Sequence, residues 1–161
     1  MYDNLTTLCD SEDENTVFAG DSSGGYCYRD FPDKKLRVFL LNTIEGILNG
    51  GKDNDIGTSE IQRAWVADAL LNLNAKENPE EWSFIVLSHY PLDFGASKTL
   101  SNVFEAYVNG SSITLNSKIY SFTENNYAKF IVQFHGHLHN YLVDKIYGGP
   151  LGSRVNGNPS N

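Results

Sequence analysis

Three short apolar runs constrain this chain most: Leu36-Arg37-Val38-Phe39-Leu40-Leu41, Phe84-Ile85-Val86-Leu87 and Phe130-Ile131-Val132-Gln133-Phe134. Their β-branched and aromatic content reads as buried strands, and the nearly continuous apolar end of Leu36–Leu41 marks that one as covered on both faces. All four histidines sit just past two of these runs, in Ser88-His89-Tyr90-Pro91 and Phe134-His135-Gly136-His137-Leu138-His139. The crevice at strand carboxyl ends is where α/β proteins build rigid sites. Imidazole is the commonest protein ligand for transition metals. Confinement of every histidine to two strand ends, three of them at alternate positions, therefore points to a metal site.

The remaining elements follow from local chemistry. Residues 1–24 are rich in Asn, Asp, Ser and Gly and read as a polar arm or loop. Tyr26 to Asp30 and Leu36 to Thr43 read as two strands, joined by a turn in which Pro32 fixes φ. The basic group Lys34-Lys35-x-Arg37 flanks that turn. Residues 45–57 form a glycine-rich connection; Asp53, Asn54 and Asp55 lack the other positions of a calcium loop. Thr58 or Ser59 caps a helix running to about Leu73, with Ile61, Trp65, Ala69 and Leu73 as its buried stripe. Asn78-Pro79 breaks the chain before a strand from Trp82 to Leu87 that leads into His89. A helix from Thr99 to Val108 turns Leu100, Val103, Phe104 and Tyr107 inward. Ile113-Thr114-Leu115 and Lys118-Ile119-Tyr120 have strand composition, and Tyr141 to Tyr147 reads as a further strand. The tail 148–161 is rich in Gly, Asn, Pro and Ser and reads as flexible.

Gly136-His137-Leu138-His139 resembles the Gly-His-x-His signature of the calcineurin-like metallophosphoesterases. Ser88-His89-Tyr90-Pro91 resembles the single-histidine motif that precedes it in that family. The segment Glu60-Ile61-Gln62-Arg63-Ala64-Trp65-Val66 is similar to a family helix carrying Gln-x-x-Trp. Asn42-Thr43 falls where the family has a strand-end loop near the site. The local style resembles bacterial and phage-borne members. The resemblance spans roughly residues 25 to 145. It implies an α/β fold with a mixed central sheet flanked by helices, like the C-terminal half of the family's β-sandwich. The domain would run over 25–147. The resemblance also implies two divalent metal ions, commonly manganese, iron or zinc, that activate water and clamp a phosphate. On that pattern His89 and His137 ligate one ion and His139 the other. His135 has no ligand role in the pattern; it reads as an imidazole packed at the strand end or as an outer-shell group. Asp93 is the nearby carboxylate able to accept from an imidazole N–H, or else a loop cap.

The family's earlier motifs, Asp-x-His, Gly-Asp-x-x-Asp and Asn-His followed by an acid, do not occur in this sequence. Gly20-Asp21-Ser22-Ser23-Gly24 begins like the second and ends in glycine. Three histidines suffice for one catalytic zinc but do not rebuild a dinuclear clamp. Two readings from different classes follow: a metal-dependent phosphoesterase, or an inactive descendant that works by binding a protein partner, for example a phage anti-defence or anti-CRISPR inhibitor. A third is a partial sheet whose open edge is completed by another polypeptide or a second copy of the chain.

Charge bears on these readings. The net charge is −8 over 161 residues, and residues 1–60 carry 12 acidic against 5 basic side chains. Such an acidic front argues against a nucleic-acid face, because phosphate backbones are held by clustered Lys and Arg. The block Asp10-Ser11-Glu12-Asp13-Glu14 reads as a solvated loop, or as an acidic surface for a basic partner. No apolar run approaches the roughly 20 residues needed to span a bilayer, and no leader pattern opens the chain. Two cysteines without metal spacing favour a reduced, cytoplasmic setting.

Overall fold

The computed structural model describes residues 18–21, 24–44, 58–92, 100–122 and 128–136. Their elements are β1 (Phe18–Asp21), β2 (Tyr26–Phe31), β3 (Leu36–Leu41), α1 (Glu60–Asn74), β4 (Ser83–Ser88), α2 (Ser101–Val108), β5 (Ser112–Leu115), β6 (Lys118–Ser121) and β7 (Lys129–His135). A five-stranded sheet has the order β1-β2-β3-β4-β7, and β5 and β6 form a separate hairpin. The first three strands pair antiparallel; β3 with β4 and β4 with β7 pair parallel. The fold is thus mixed α/β with a mixed sheet, and the three apolar runs are its adjacent parallel strands. All three point their carboxyl ends the same way.

Turn chemistry sets the β2–β3 register. Pro32 opens a 3-10 turn, and Lys35 closes it in the left-handed region (φ 47°) with its N–H on the Pro32 carbonyl at 3.0 Å. That places Asp30 directly opposite Arg37. Lys34 and Lys35 lie within the turn, and Arg37 stands just past it in β3. It is fully buried, because Asp30 meets its guanidinium at 2.6 and 2.8 Å. At the other hairpin, Asn116 and Ser117 both have positive φ (49° and 60°), as a two-residue loop of mirror-image type requires.

Helix α1 begins where the sequence predicts: Ser59 Oγ accepts from the Gln62 N–H at 3.0 Å. Ala69 and Leu73 of the expected stripe are buried, and Ile61 is not, at 66% exposure. The inward face is broader than expected and takes in Gln62, whose amide has backbone partners inside, with Ala64, Val66, Ala67 and Leu70. Trp65 packs against Tyr26 and Tyr28 with ring centroids 4.9 and 5.7 Å apart, which makes it a core residue. In α2, Val103, Phe104 and Tyr107 are buried as expected, with Leu100 just before them. Phe104 stacks on Phe84, and Phe84 on Phe130, at 5.9 and 5.0 Å. Both helices therefore pack on the sheet face that carries Phe39 and Phe84.

Three boundaries depart from expectation. Phe18–Asp21 is a strand rather than part of a loop, paired from Phe18↔Arg29 to Asp21↔Tyr26. An edge strand pairs through its backbone, so a polar sequence does not forbid it. β3 ends at Leu41 instead of Thr43, because the Asn42 carboxamide oxygen takes the Ile44 N–H at 3.1 Å and competes with the ladder. β7 bulges: Phe84 pairs with Phe130 and Ile85 with Val132, leaving Ile131 unmatched and 48% exposed. The expected strand Tyr141 to Tyr147, the tail 148–161 and the connection 45–57 lie outside the described residues. No described helix is long and apolar enough to cross a membrane.

Candidate metal site at the strand ends

The parallel strands β3, β4 and β7 end together around a cavity of about 510 Å³. Leu40, Leu87 and Phe134 stand level across the three strands by register and line it, together with Asn42, Thr43, Ser88, His89 and His135. The cavity occupies the crevice where the strand-end histidines are expected. His89 lies immediately beyond β4 and is exposed; His135 is the last residue of β7, opposite Ser88, and half-buried. The register thus brings two of the four imidazoles to one cavity. His137, His139 and Asp93 lie outside the described residues. Among the described residues there is no group of three His, Cys, Asp or Glu side chains able to hold an ion.

A chain of neutral hydrogen bonds fixes this end of the sheet. The Gln62 side chain spans one backbone residue: its Nε2 donates to the Asn42 carbonyl at 2.8 Å, and its Oε1 accepts from the Asn42 N–H at 3.0 Å. Asn42 Nδ2 donates to the Gly24 carbonyl at 2.8 Å, tying in the start of β2. Thr43 Oγ1 accepts from the Tyr90 N–H at 2.8 Å. Ser88 Oγ donates to the Tyr90 carbonyl at 2.7 Å and accepts from Gln133 Nε2 at 3.0 Å. The Gly136 N–H donates to the His89 carbonyl at 3.1 Å, which joins the two histidine segments directly. The His89 ring stands edge-on to the Tyr90 ring, centroids 4.8 Å apart and planes at 87°.

From the sequence, Gln62 belongs to a helix motif and Asn42-Thr43 lies near the site; what sequence reasoning missed is their bracing role, and that of Gln133 altogether. Gln62, Thr43 and Gln133 are all buried. Their signal was a polar residue where an apolar one would pack: Gln133 inside the run Phe130–Phe134, Gln62 one place off the apolar stripe, and Asn42-Thr43 ending an apolar strand. Buried amides and hydroxyls demand partners, and here the partners are backbone groups of the site loops and, for Gln133, the Ser88 hydroxyl as well.

As a donor set, two imidazoles at one cavity mouth suit zinc, iron, copper or nickel better than magnesium or calcium, which prefer oxygen. The described residues supply two such imidazoles, His89 exposed and His135 half-buried, short of the three donors a catalytic zinc takes. Comparison with family models, with curated proteins and with solved structures returns no match to this chain.

Proposed function

We propose that the chain carries the histidine side of a metal-dependent phosphoesterase centre, built at the carboxyl ends of β4 and β7. The observation that carries this reading is the pinning of the two histidine segments side by side, with the Gly136 N–H on the His89 carbonyl at 3.1 Å. His89, His137 and His139 are the proposed metal donors. His135, half-buried at the end of β7, is the candidate for an outer-shell imidazole, and Asp93 for an acceptor of an imidazole N–H. A divalent ion such as manganese, iron or zinc would supply Lewis acidity toward a phosphoester and a water. The hydrogen bonds of Thr43 and Gly136 with the peptide joining His89 to Tyr90 would hold the backbone that bears His89, and Leu40, Leu87 and Phe134 would give the cavity an apolar wall.

A second reading rests on a specific observation: none of the three acidic motifs of the resembled family occurs in the sequence. On that reading the chain binds without hydrolysing, through an acidic surface of its first 60 residues or through a sheet edge completed by a second copy. Hydrolysis of an aryl phosphodiester with manganese, beside a His137→Ala/His139→Ala control, separates the two. Metal-dependent turnover that disappears in the control is expected from the phosphoesterase reading. Turnover no greater than the control, in folded protein, would overturn it and leave binding as the function.

A further inference from the structure

One peptide group at the strand ends is held from both sides. The peptide joining His89 to Tyr90 accepts at its carbonyl from the Gly136 N–H (3.1 Å) and donates from its N–H to Thr43 Oγ1 (2.8 Å). Thr43 is 5% exposed and Tyr90 is 8% exposed, whereas His89 is exposed and leans its ring edge-on against Tyr90. Thr43 is itself fixed: the peptide that precedes it has its carbonyl taken by Gln62 Nε2, anchored in the buried face of α1. A rigid path thus runs from α1 through Gln62, Asn42 and Thr43 to the backbone that bears His89.

We infer that Thr43 is a positioning residue for His89, fixing where an otherwise exposed imidazole stands at the cavity mouth. An exposed histidine on a mobile loop loses rotational freedom whenever it takes a ligand. Pinning its peptide plane and the ring it leans on removes part of that cost in advance. The hydroxyl suits the task, since it accepts the N–H of the buried Tyr90. The inference rests on the metal reading of His89, and its test is arranged so that each can fail alone.

The test compares Thr43→Val, which keeps the shape and removes the acceptor, with Thr43→Ser, which keeps the acceptor. Thr43→Ala serves in place of valine if that variant does not fold. Two quantities are read on full-length protein: zinc affinity by calorimetry, and the order of the His89 ring by carbon relaxation without metal. Arg37→Met, at the opposite end of β3 and bonded to Asp30 rather than to the cavity residues, reports what a plain loss of stability does to both. Thr43→Val is expected to loosen the His89 ring and to weaken zinc binding by about tenfold, the lower end for lost outer-shell partners. Thr43→Ser should restore both, and Arg37→Met should lower the thermal midpoint alone. If Thr43→Val lowers the midpoint and leaves the His89 ring and zinc affinity unchanged, Thr43 only satisfies a buried N–H and the proposal is overturned. If wild type binds no zinc while Thr43→Val still frees the ring, the positioning role stands and the metal reading falls.

Discussion

At the amino end of β3 and at the carboxyl end of β4, the same sheet handles polar groups in opposite ways. Arg37 is buried, bonded to both Asp30 oxygens, to the Asn72 side chain at 2.9 Å and to the Ala69 carbonyl. Its guanidinium lies 3.7 Å over the Tyr28 ring, and Lys76 adds a second cation to Asp30 at 2.9 Å. There the charged side chains themselves are saturated, and their work is to lock β2, β3 and α1 together. At the other end the backbone is saturated and the imidazole of His89 faces solvent. The difference teaches where to look for function: a polar side chain enclosed by protein partners holds the fold, while a pinned backbone under an exposed side chain presents a donor.

The largest effect belongs to the enclosed end. Arg37→Met leaves Asp30 buried with Lys76 alone, and urea unfolding should show a loss of about 3–5 kcal/mol. Converting Asp30 to Leu in the same chain should recover much of it, since a buried pair replaced by packed apolar groups is often neutral. Zinc affinity of the folded Arg37→Met protein should stay at the wild-type value; a parallel loss would erase the distinction between the two ends.

Gln62→Leu tests the boundary between them. It leaves the Asn42 N–H and carbonyl without their buried partner, worth about 1–3 kcal/mol. Because Gln62 supports the site loops, a drop in zinc affinity should accompany the drop in stability, unlike for Arg37→Met.

A smaller effect is set by pH. Burial raises the Tyr28 phenol above its ordinary value of 10.0, with the Arg37 charge opposing the shift. The neutral phenol is therefore favoured in the fold. Stability it contributes is complete below pH 10 and declines as pH rises from there through the raised value. Urea midpoints followed across that window should fall in wild type and fall less in Tyr28→Phe; identical slopes would show that Tyr28 is not the group responsible.

Much of this architecture is legible in the sequence because it is locally encoded. Pro32 gives the β2–β3 turn, Thr58 or Ser59 the start of α1, the composition of Ile113-Thr114-Leu115 and Lys118-Ile119-Tyr120 the strands of the small hairpin, and the apolar runs the core strands. The Asp30–Arg37 pair was within reach too, since a turn over residues 32–35 sets those positions opposite one another. The site braces were not. Gln62 meets Asn42 twenty residues away and Thr43 meets Tyr90 across forty-seven, distances at which only the packed fold decides partners. The first turn of α1 departs from the sequence for the same reason: Trp65, Ala69 and Leu73 pack inward as read, but an exposed Ile61 and a buried Gln62 invert the hydrophobic rule, and the backbone groups at Asn42 explain it.

His89 itself should matter least to the fold, since substitution of an exposed side chain changes stability by within about 0.5 kcal/mol. The most direct test of a presented donor is a calorimetric zinc titration of wild type beside His89→Ala, with urea unfolding of both. Zinc bound by wild type and lost in His89→Ala, at matching unfolding midpoints, is the expected result. Equal binding by the two proteins, or no binding by wild type, would contradict it.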